Sequence, residues 1–337
     1  MSPHRPSQVA RRLLDSLPGR VALRALDRAD TGRSDLVAVL TYHRVAPRHG
    51  LVGAPGLVSA SPAEFDDQVS FLARRHRVVT LNDLLESRES GRHLGRRAVV
   101  ITFDDAHRDF AEHAWPVLKR YRLPATMFVP TAFPDDPEAV FWWDWLHEAV
   151  AGAPDGTAIS LPDGRVRFPS GDRRAEVYRR IRDEVKRRPH AEAMSFVRQL
   201  VVEQLGVAPP TGTVLGWDEL RNLSADGVTL APHSRTHPLL DRVRPDELNA
   251  EIAGSREDLE RQVGTAPAAF AYPSGAHSPE VRDAVARAGI RVAFTTRRGL
   301  NRLGVTDWLA LRRINVGGST SVQVLRAQLG RWAVAWS

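Results

Sequence analysis

The chain has 337 residues, of which 42% are hydrophobic and 26% charged, the balance of a soluble globular protein that can fill one large α/β barrel or two ordinary domains. No stretch approaches the roughly 18 consecutive apolar residues of a membrane-spanning helix, and the absence of cysteine excludes disulfides and thiolate metal ligands. The formal charge is +7, but bases and acids are interleaved, which argues for a solvated surface and against nucleic-acid binding.

Residues 1–35 read as a basic helical segment. Arg11, Arg12, Arg20, Arg24 and Arg28 alternate with Leu13, Leu14, Leu17, Val21 and Ala25, interrupted at Pro18-Gly19, a pattern that suits a peripheral membrane contact. The segment lacks the apolar centre and small-residue cleavage site of a secretory signal, so a cytoplasmic location, membrane-peripheral through this helix, is expected. Strands are expected at Leu36–Tyr42, Ala98–Phe103, Ala125–Val129, Gly227–Ala231, Ala268–Tyr272, Arg291–Thr295 and Leu309–Ile314, with a short one at Arg77–Thr80. Helical patterns between them include Pro62–Arg75, Phe110–Tyr121, Asp246–Val263 and Pro279–Ala288. Ser278 supplies an N-cap to the last of these, and Pro279 its first turn.

Strands alternating with helices indicate an α/β barrel or an open parallel sheet. Residues 135–215 break the rhythm and read as a helical insertion, with Trp142, Trp143 and Trp145 at one end and charged helical stretches at Asp172–Arg188 and Ala191–Leu205. The barrel then comprises 36–134 and 216–318, followed by a C-terminal helix over 319–337.

Chemistry-bearing residues stand at the C-terminal ends of the expected strands. His43 follows the first, Asp104 and Asp105 the second, His233 the strand ending at Ala231, and Pro273-Ser274-Gly275 the strand ending at Tyr272. In a (β/α) barrel these ends share the face that carries the active site. Separately the motifs have plainer uses: His233 and His237 as partners at a helix start, and Asp104-Asp105 as a cap for the helix near Asp109. Together, two imidazoles and one carboxylate occupy three positions on a divalent metal, leave sites open for water, and spare the second carboxylate as a base. His107 and His113 are expected on a helix surface, with Ser234 and Thr236 tying down the helix start.

The ordered motifs Leu40-Thr41-Tyr42-His43-Arg44-Val45, Thr102-Phe103-Asp104-Asp105, His233-Ser234-Arg235-Thr236-His237-Pro238, Phe270-Ala271-Tyr272-Pro273-Ser274-Gly275 and Arg313-Ile314 resemble those of the polysaccharide deacetylases, the NodB-homology family of carbohydrate esterases. The resemblance covers most of Leu36–Val316 outside the insertion. It implies a distorted (β/α)7-8 TIM-like barrel and removal of acetyl groups from N- or O-acetylated sugars with a divalent metal, most often zinc; cobalt, nickel and manganese are the other candidates. It makes Asp104 the general base and Asp105, His233 and His237 the metal ligands. It also brings Tyr272, Pro273, Ser274 and Gly275 to the substrate, with the Ser274 backbone N–H as an oxyanion donor.

Three departures from the pattern carry further expectations. Ala106 stands where the family has glycine, which matters if the position needs positive φ. The arginine that pairs with the catalytic aspartate is missing ahead of Pro273, and Arg313 is the candidate substitute, against an ordinary ion pair. The late general-acid histidine is also missing; His43 can replace it, the alternative being a structural imidazole. Trp143 is the aromatic candidate for sugar binding, although two of the three insertion tryptophans are expected to pack. The rivals are an O-acetyl esterase, a small-molecule amidohydrolase, and a catalytically silent carbohydrate-binding protein.

Overall fold

The computed structural model describes residues 8–29, 32–47, 54–136, 139–168 and 174–330. Helices α1 (Gln8–Asp15) and α2 (Leu17–Ala29) precede β1 (Leu36–Tyr42), β2 (Arg44–Val45), β3 (Val58–Ala60), α3 (Pro62–Arg75), β4 (Arg77–Val78), α4 (Leu81–Ser90), β5 (Ala98–Asp104), α5 (Trp115–Tyr121) and β6 (Thr126–Val129). The middle of the chain holds α6 (Trp142–Gly152), β7 (Ala158–Leu161), β8 (Gly164–Arg167), α7 (Arg174–Lys186) and α8 (His190–Arg198). It closes with α9 (Trp217–Ala225), β9 (Thr229–Pro232), α10 (Leu248–Val263), β10 (Ala269–Ala271), α11 (Pro279–Arg287), β11 (Val292–Arg298), β12 (Asn301–Arg302), β13 (Leu311–Asn315) and α12 (Val322–Leu329). Residues 1–7 of the expected N-terminal segment and 331–337 of the expected C-terminal helix lie outside the described residues.

The main sheet runs in the order β10-β11-β13-β1-β5-β6-β9, and neighbours along this path are parallel. Its two end strands, β9 and β10, lie against each other, so the sheet curls into a nearly closed, distorted barrel. Strands β1 and β5 are buried throughout, because helices cover one face and the barrel interior the other; hence their continuous apolar runs. Alternation sorts their side chains. Val37, Val39 and Val100 face inward with Phe128, Phe294 and Leu311. Leu40, Tyr42, Ile101 and Phe103 pack outward among residues of α3 and α5. Thr102 and Asp104 continue the inward row of Val100, and Arg313 that of Leu311, which aims both charged groups into the barrel mouth.

Local chemistry sets the helix boundaries. The Ser61 hydroxyl accepts from the Glu64 N–H while Glu64 reaches back to the Ser61 N–H, a capping box that starts α3; Thr80 and Asp83 do the same for α4. The helix expected from Phe110 opens as a π-helical turn, Phe110–Ala114, before α5.

The insertion differs from the all-helical expectation. It carries an antiparallel hairpin, β7–β8, and a core of its own in which Trp145, Ile159, Ile181, Val197 and Leu200 are buried together. Its returning segment is tied to the barrel loop through Arg108 N–H to Thr213 O at 2.9 Å and Leu215 N–H to Ala106 O at 3.0 Å.

Candidate active site

At the end of β5 the backbone turns sharply: Asp105 and Ala106 both have positive φ, 75° and 51°. Ser234, His237 and Ser274, in the loops after β9 and β10, are left-handed as well. Non-glycine residues rarely hold this conformation unless surrounding structure enforces it, and here it clusters where the motifs meet. The structure answers the question raised by Ala106: the position does require positive φ, and alanine occupies it under strain. His233 and His237 do not begin a helix. They sit in a bend closed by the His237 N–H donating to Ser234 Oγ at 3.1 Å, and Thr236 Oγ1 donates to Glu251.

The bend brings the two imidazoles onto one carboxylate. Asp105 Oδ1 lies 3.5 Å from His233 Nε2 and 3.3 Å from His237 Nε2. All three residues are buried, and their ligand atoms lie within 4.8 Å of one another. The donor set fits a divalent cation. His233 Nδ1 lies 2.7 Å from Ala271 O, a contact that requires the proton on Nδ1 and turns Nε2 toward Asp105, where a cation would compete with a proton for it. Asp105 Oδ1 is buried with no hydrogen-bond donor, a charge that needs a cation. Burial lowers the His237 pKa to about 3, against the pull of Asp105, which favours the neutral ring that ligation requires.

Asp104 is held apart from this set. Arg313 Nη1 and Nη2 donate to Asp104 Oδ1 and Oδ2, both at 2.8 Å, and Arg313 Nε donates to Thr295 O at 2.9 Å. The expected substitution of Arg313 for the missing arginine is therefore realised in space as a buried, bidentate pair. Burial pushes the Asp104 carboxyl up, but the charges of Arg313, His233 and His43 outweigh it, and its pKa falls below the ordinary value. Its nearer oxygen is 4.0 Å from His233 Nε2, farther than Asp105.

His43 lines the cavity above these residues, as do Ser274 and Trp143. Its backbone N–H donates to Ser59 Oγ at 3.0 Å, which fixes the loop after β1. Burial lowers the His43 pKa, opposed by the charges of Asp105 and Asp104. The Trp143 ring stands edge-on to His237, centroids 5.0 Å apart. Trp145 instead packs in the insertion core and donates to Val207 O at 3.1 Å.

Four expectations need correction. Tyr272 is not a substrate contact: its ring packs outward with Phe270, Val281 and Val285, and its hydroxyl donates to Leu309 O at 2.9 Å. Pro273 is buried and Gly275 fits against Thr296, where a Cβ would sit 2.2 Å from Thr296 Oγ1; neither lines the cavity. They shape the turn that presents Ser274. His107, expected on a helix surface, is buried, with Nε2 3.7 Å from Asp105 Oδ2. It approaches the Asp105 carboxylate at Oδ2, the oxygen away from His233. His113 is half-buried beside Glu112, as expected of a surface residue.

A family model described as polysaccharide deacetylase matches residues 91–293. Among curated proteins, the poly-beta-1,6-N-acetyl-D-glucosamine N-deacetylase of Staphylococcus epidermidis is 34% identical over 102 residues, covering 27% of this chain and 35% of that protein. The match thus spans about a third of that relative's length. Among solved structures, the Streptococcus pyogenes deacetylase PplD in complex with acetate superposes with a TM-score of 0.60 at 18% identity, covering 89% of this chain and 99% of that one. IcaB from Ammonifex degensii gives 0.57 at 18% identity, with coverages of 88% and 97%. At that identity the two structures establish a shared barrel fold.

Proposed function

Because the chain belongs to the polysaccharide deacetylase family, we propose that it removes acetyl groups from an N-acetylated sugar or polysaccharide, with a divalent metal held by Asp105, His233 and His237. One observation carries the reading: three buried ligand atoms converge on one point while Arg313 holds a second carboxylate, Asp104, beside them. A metal binder without catalysis has no need of that carboxylate.

A divalent ion so held, zinc above all, acidifies water and polarises a carbonyl. The remaining work falls to side chains. Asp104 accepts a proton at the carboxylate oxygens that Arg313 orients. His43, on the same barrel mouth, donates a proton to the departing amine, which cannot leave as an anion. The Ser274 backbone N–H supports the oxyanion. Trp143 offers the sugar an apolar face.

The reading is tested by acetate release from N- and O-acetylated glycans with and without zinc, cobalt, nickel or manganese. N-acetyl release that chelation abolishes supports it. Release from O-acetyl esters alone makes the protein an esterase, and metal binding without release makes it a silent binder. In His233→Ala and His237→Ala, tight zinc binding and activity should be lost together.

We further place the protein at the cytoplasmic face of a membrane. Helices α1 and α2 are tied to the barrel through Leu23, which is buried, and through Ser321 Oγ to Asp15 at 2.7 Å. Leu13, Leu17 and Val21, spaced by four, remain 64%, 76% and 59% exposed, beside Arg20 and Arg24. Sedimentation with anionic vesicles that Leu17→Glu with Val21→Glu abolishes would support this placement; recovery of the native protein outside the cytoplasm would refute it.

A further inference from the structure

The cavity over the Asp105, His233 and His237 triad does not stop at the barrel. It continues along the insertion between α6 and α7 and totals about 640 Å³. The two helices run antiparallel. Arg174 Nη1 donates to Val150 O at 2.8 Å near the end of α6, whereas Tyr178 donates to Trp143 O at 3.4 Å near its start. Positions 182 and 186 therefore lie toward the barrel. A smaller adjoining cavity is lined by Lys186 together with Trp143, His237 and Ser274, which puts Lys186 beside the candidate metal site.

Arg174, Tyr178, Arg182 and Lys186 all line the main cavity. Spaced by four, they form one stripe on α7. Three of the four are cations, and the row spans about 18 Å at 1.5 Å per residue. The acidic residues of α7, Glu176, Asp183 and Glu184, fall off this stripe. The carboxylates that do line the cavity lie at its floor: Asp104, paired with Arg313, and Asp105, the candidate metal ligand.

Of the three cations, two have acidic partners among the described residues and one does not. Arg174 is held by Asp155 and two carbonyls. Arg182 pairs with its neighbour Asp183 at 2.7 Å, both side chains partly in solvent, an arrangement of little strength. Lys186 makes no ion pair among the described residues. Its side chain is exposed to solvent at the cavity; partial desolvation and the charge of Arg182 lower its pKa against the opposing charge of Asp183, and a bound anion would add a partner. Across the groove, Trp143 Nε1 is buried without an acceptor.

Resting on the deacetylase reading, we propose that the substrate is an acidic glycan: a carboxylate or phosphate on a sugar near the acetamido group engages Arg182 and Lys186 while the acetamide sits over the triad. This sets the chain apart from an enzyme matched to a neutral poly-N-acetylglucosamine.

The test compares acetate release by the zinc-loaded full chain from three oligosaccharides of similar length. These are a neutral N-acetylglucosamine tetramer, a hyaluronan tetrasaccharide bearing carboxylates, and an oligomer of N-acetylglucosamine 1-phosphate. At low salt, KM for at least one acidic oligosaccharide should lie about tenfold to a hundredfold below that for the neutral one, the range of one or two charge-assisted hydrogen bonds. Which acidic arm shows the gain identifies the anion. In Arg182→Gln with Lys186→Gln the ratio should fall toward one, whereas Lys186→Arg should keep it.

Equal KM values in the native chain, or a ratio that survives in the double variant, would overturn the proposal. If no glycan releases acetate, the deacetylase reading fails by itself, and calorimetric binding of the same oligosaccharides still reads the groove. Acidic binding lost in the double variant upholds the anion site; binding without discrimination removes it.

Discussion

Arg313→Met replaces a guanidinium by an apolar chain of similar length and leaves Asp104 buried without its partner. Three hydrogen bonds disappear, two of them to a carboxylate whose side chain is 3% exposed. Breaking a buried pair from one side costs about 3–5 kcal/mol. With an unfolding entropy of about 2.1 cal/mol/K per residue, 337 residues give about 0.7 kcal/mol/K, so Tm should fall by about 4–7 °C. The measurement belongs in a chelator, so that metal binding does not contribute to Tm.

The pH dependence tests the cause. In the native chain burial raises the Asp104 pKa, but Arg313 and the neighbouring histidines outweigh it, and the folded value lies below the unfolded one. The stabilisation from this group is therefore full above the unfolded pKa of about 3.9 and is lost as pH falls through the folded value. Without Arg313 burial dominates and the folded pKa moves above the unfolded one. The Tm gap should then be widest near pH 7 and close toward pH 4, as Asp104 takes up a proton in the variant. The acidic limb of kcat/KM should move to higher pH in parallel. A gap equally wide at both pH values would show that Arg313 acts by packing alone and would refute the argument.

Asp104→Asn should keep stoichiometric zinc but lose about 10²–10⁴-fold in kcat, the usual worth of a general base; loss of zinc would mean that the two aspartates have exchanged roles. His43→Ala should keep zinc, lose amide hydrolysis by a similar factor, and spare aryl acetates whose leaving groups need no proton; equal loss on both would assign His43 to structure or substrate binding. Ala106→Gly relieves about 1–2 kcal/mol of left-handed strain against about 0.8 kcal/mol for the buried methyl group, so chemical denaturation should show a net gain of up to about 1 kcal/mol, and a loss would contradict the strain. Asp35 is paired with Arg33 and Arg302 and its pKa is lowered to about 2. Asp35→Asn should cost about 1 kcal/mol, discounted for solvent screening, above pH 4, and the difference should vanish as pH approaches 2.

The barrel strands were legible because strands covered on both faces leave unbroken apolar runs, and β1 has the boundaries expected of it. The site was legible because its residues stand directly after those runs. Alternation along β13 also carried a usable signal for Arg313, two residues beyond inward-facing Leu311. The same rule exposes the error at Tyr272, which shares its face with Phe270 and not with Ala271. Helix α4 was missed although Thr80 and Asp83 have capping-box spacing. The β7–β8 hairpin was not legible: each strand has four residues, and its buried positions, Ile159, Leu161 and Val166, are too few for a pattern. His107 had no local signal. Its burial depends on pairing with Val214, more than 100 residues away, and on a left-handed turn at Ala106 that local propensity disfavours.

The seam of the barrel has a consequence for how metal and fold depend on each other. Strands β9 and β10 touch but share no ladder, and the hydrogen bond from His233 to Ala271 O crosses between their ends. The imidazole proposed to offer Nε2 to a cation thus fastens the weakest edge of the sheet with Nδ1. Opening the seam releases the ring to turn, and a turned ring no longer presents its lone pair to Asp105. On the proposed metal reading, a bound ion would act as a clasp: stripping it should speed amide hydrogen exchange at Ala231 and Ala271 far more than at Val39 or Val100 on the fully laddered side of the barrel.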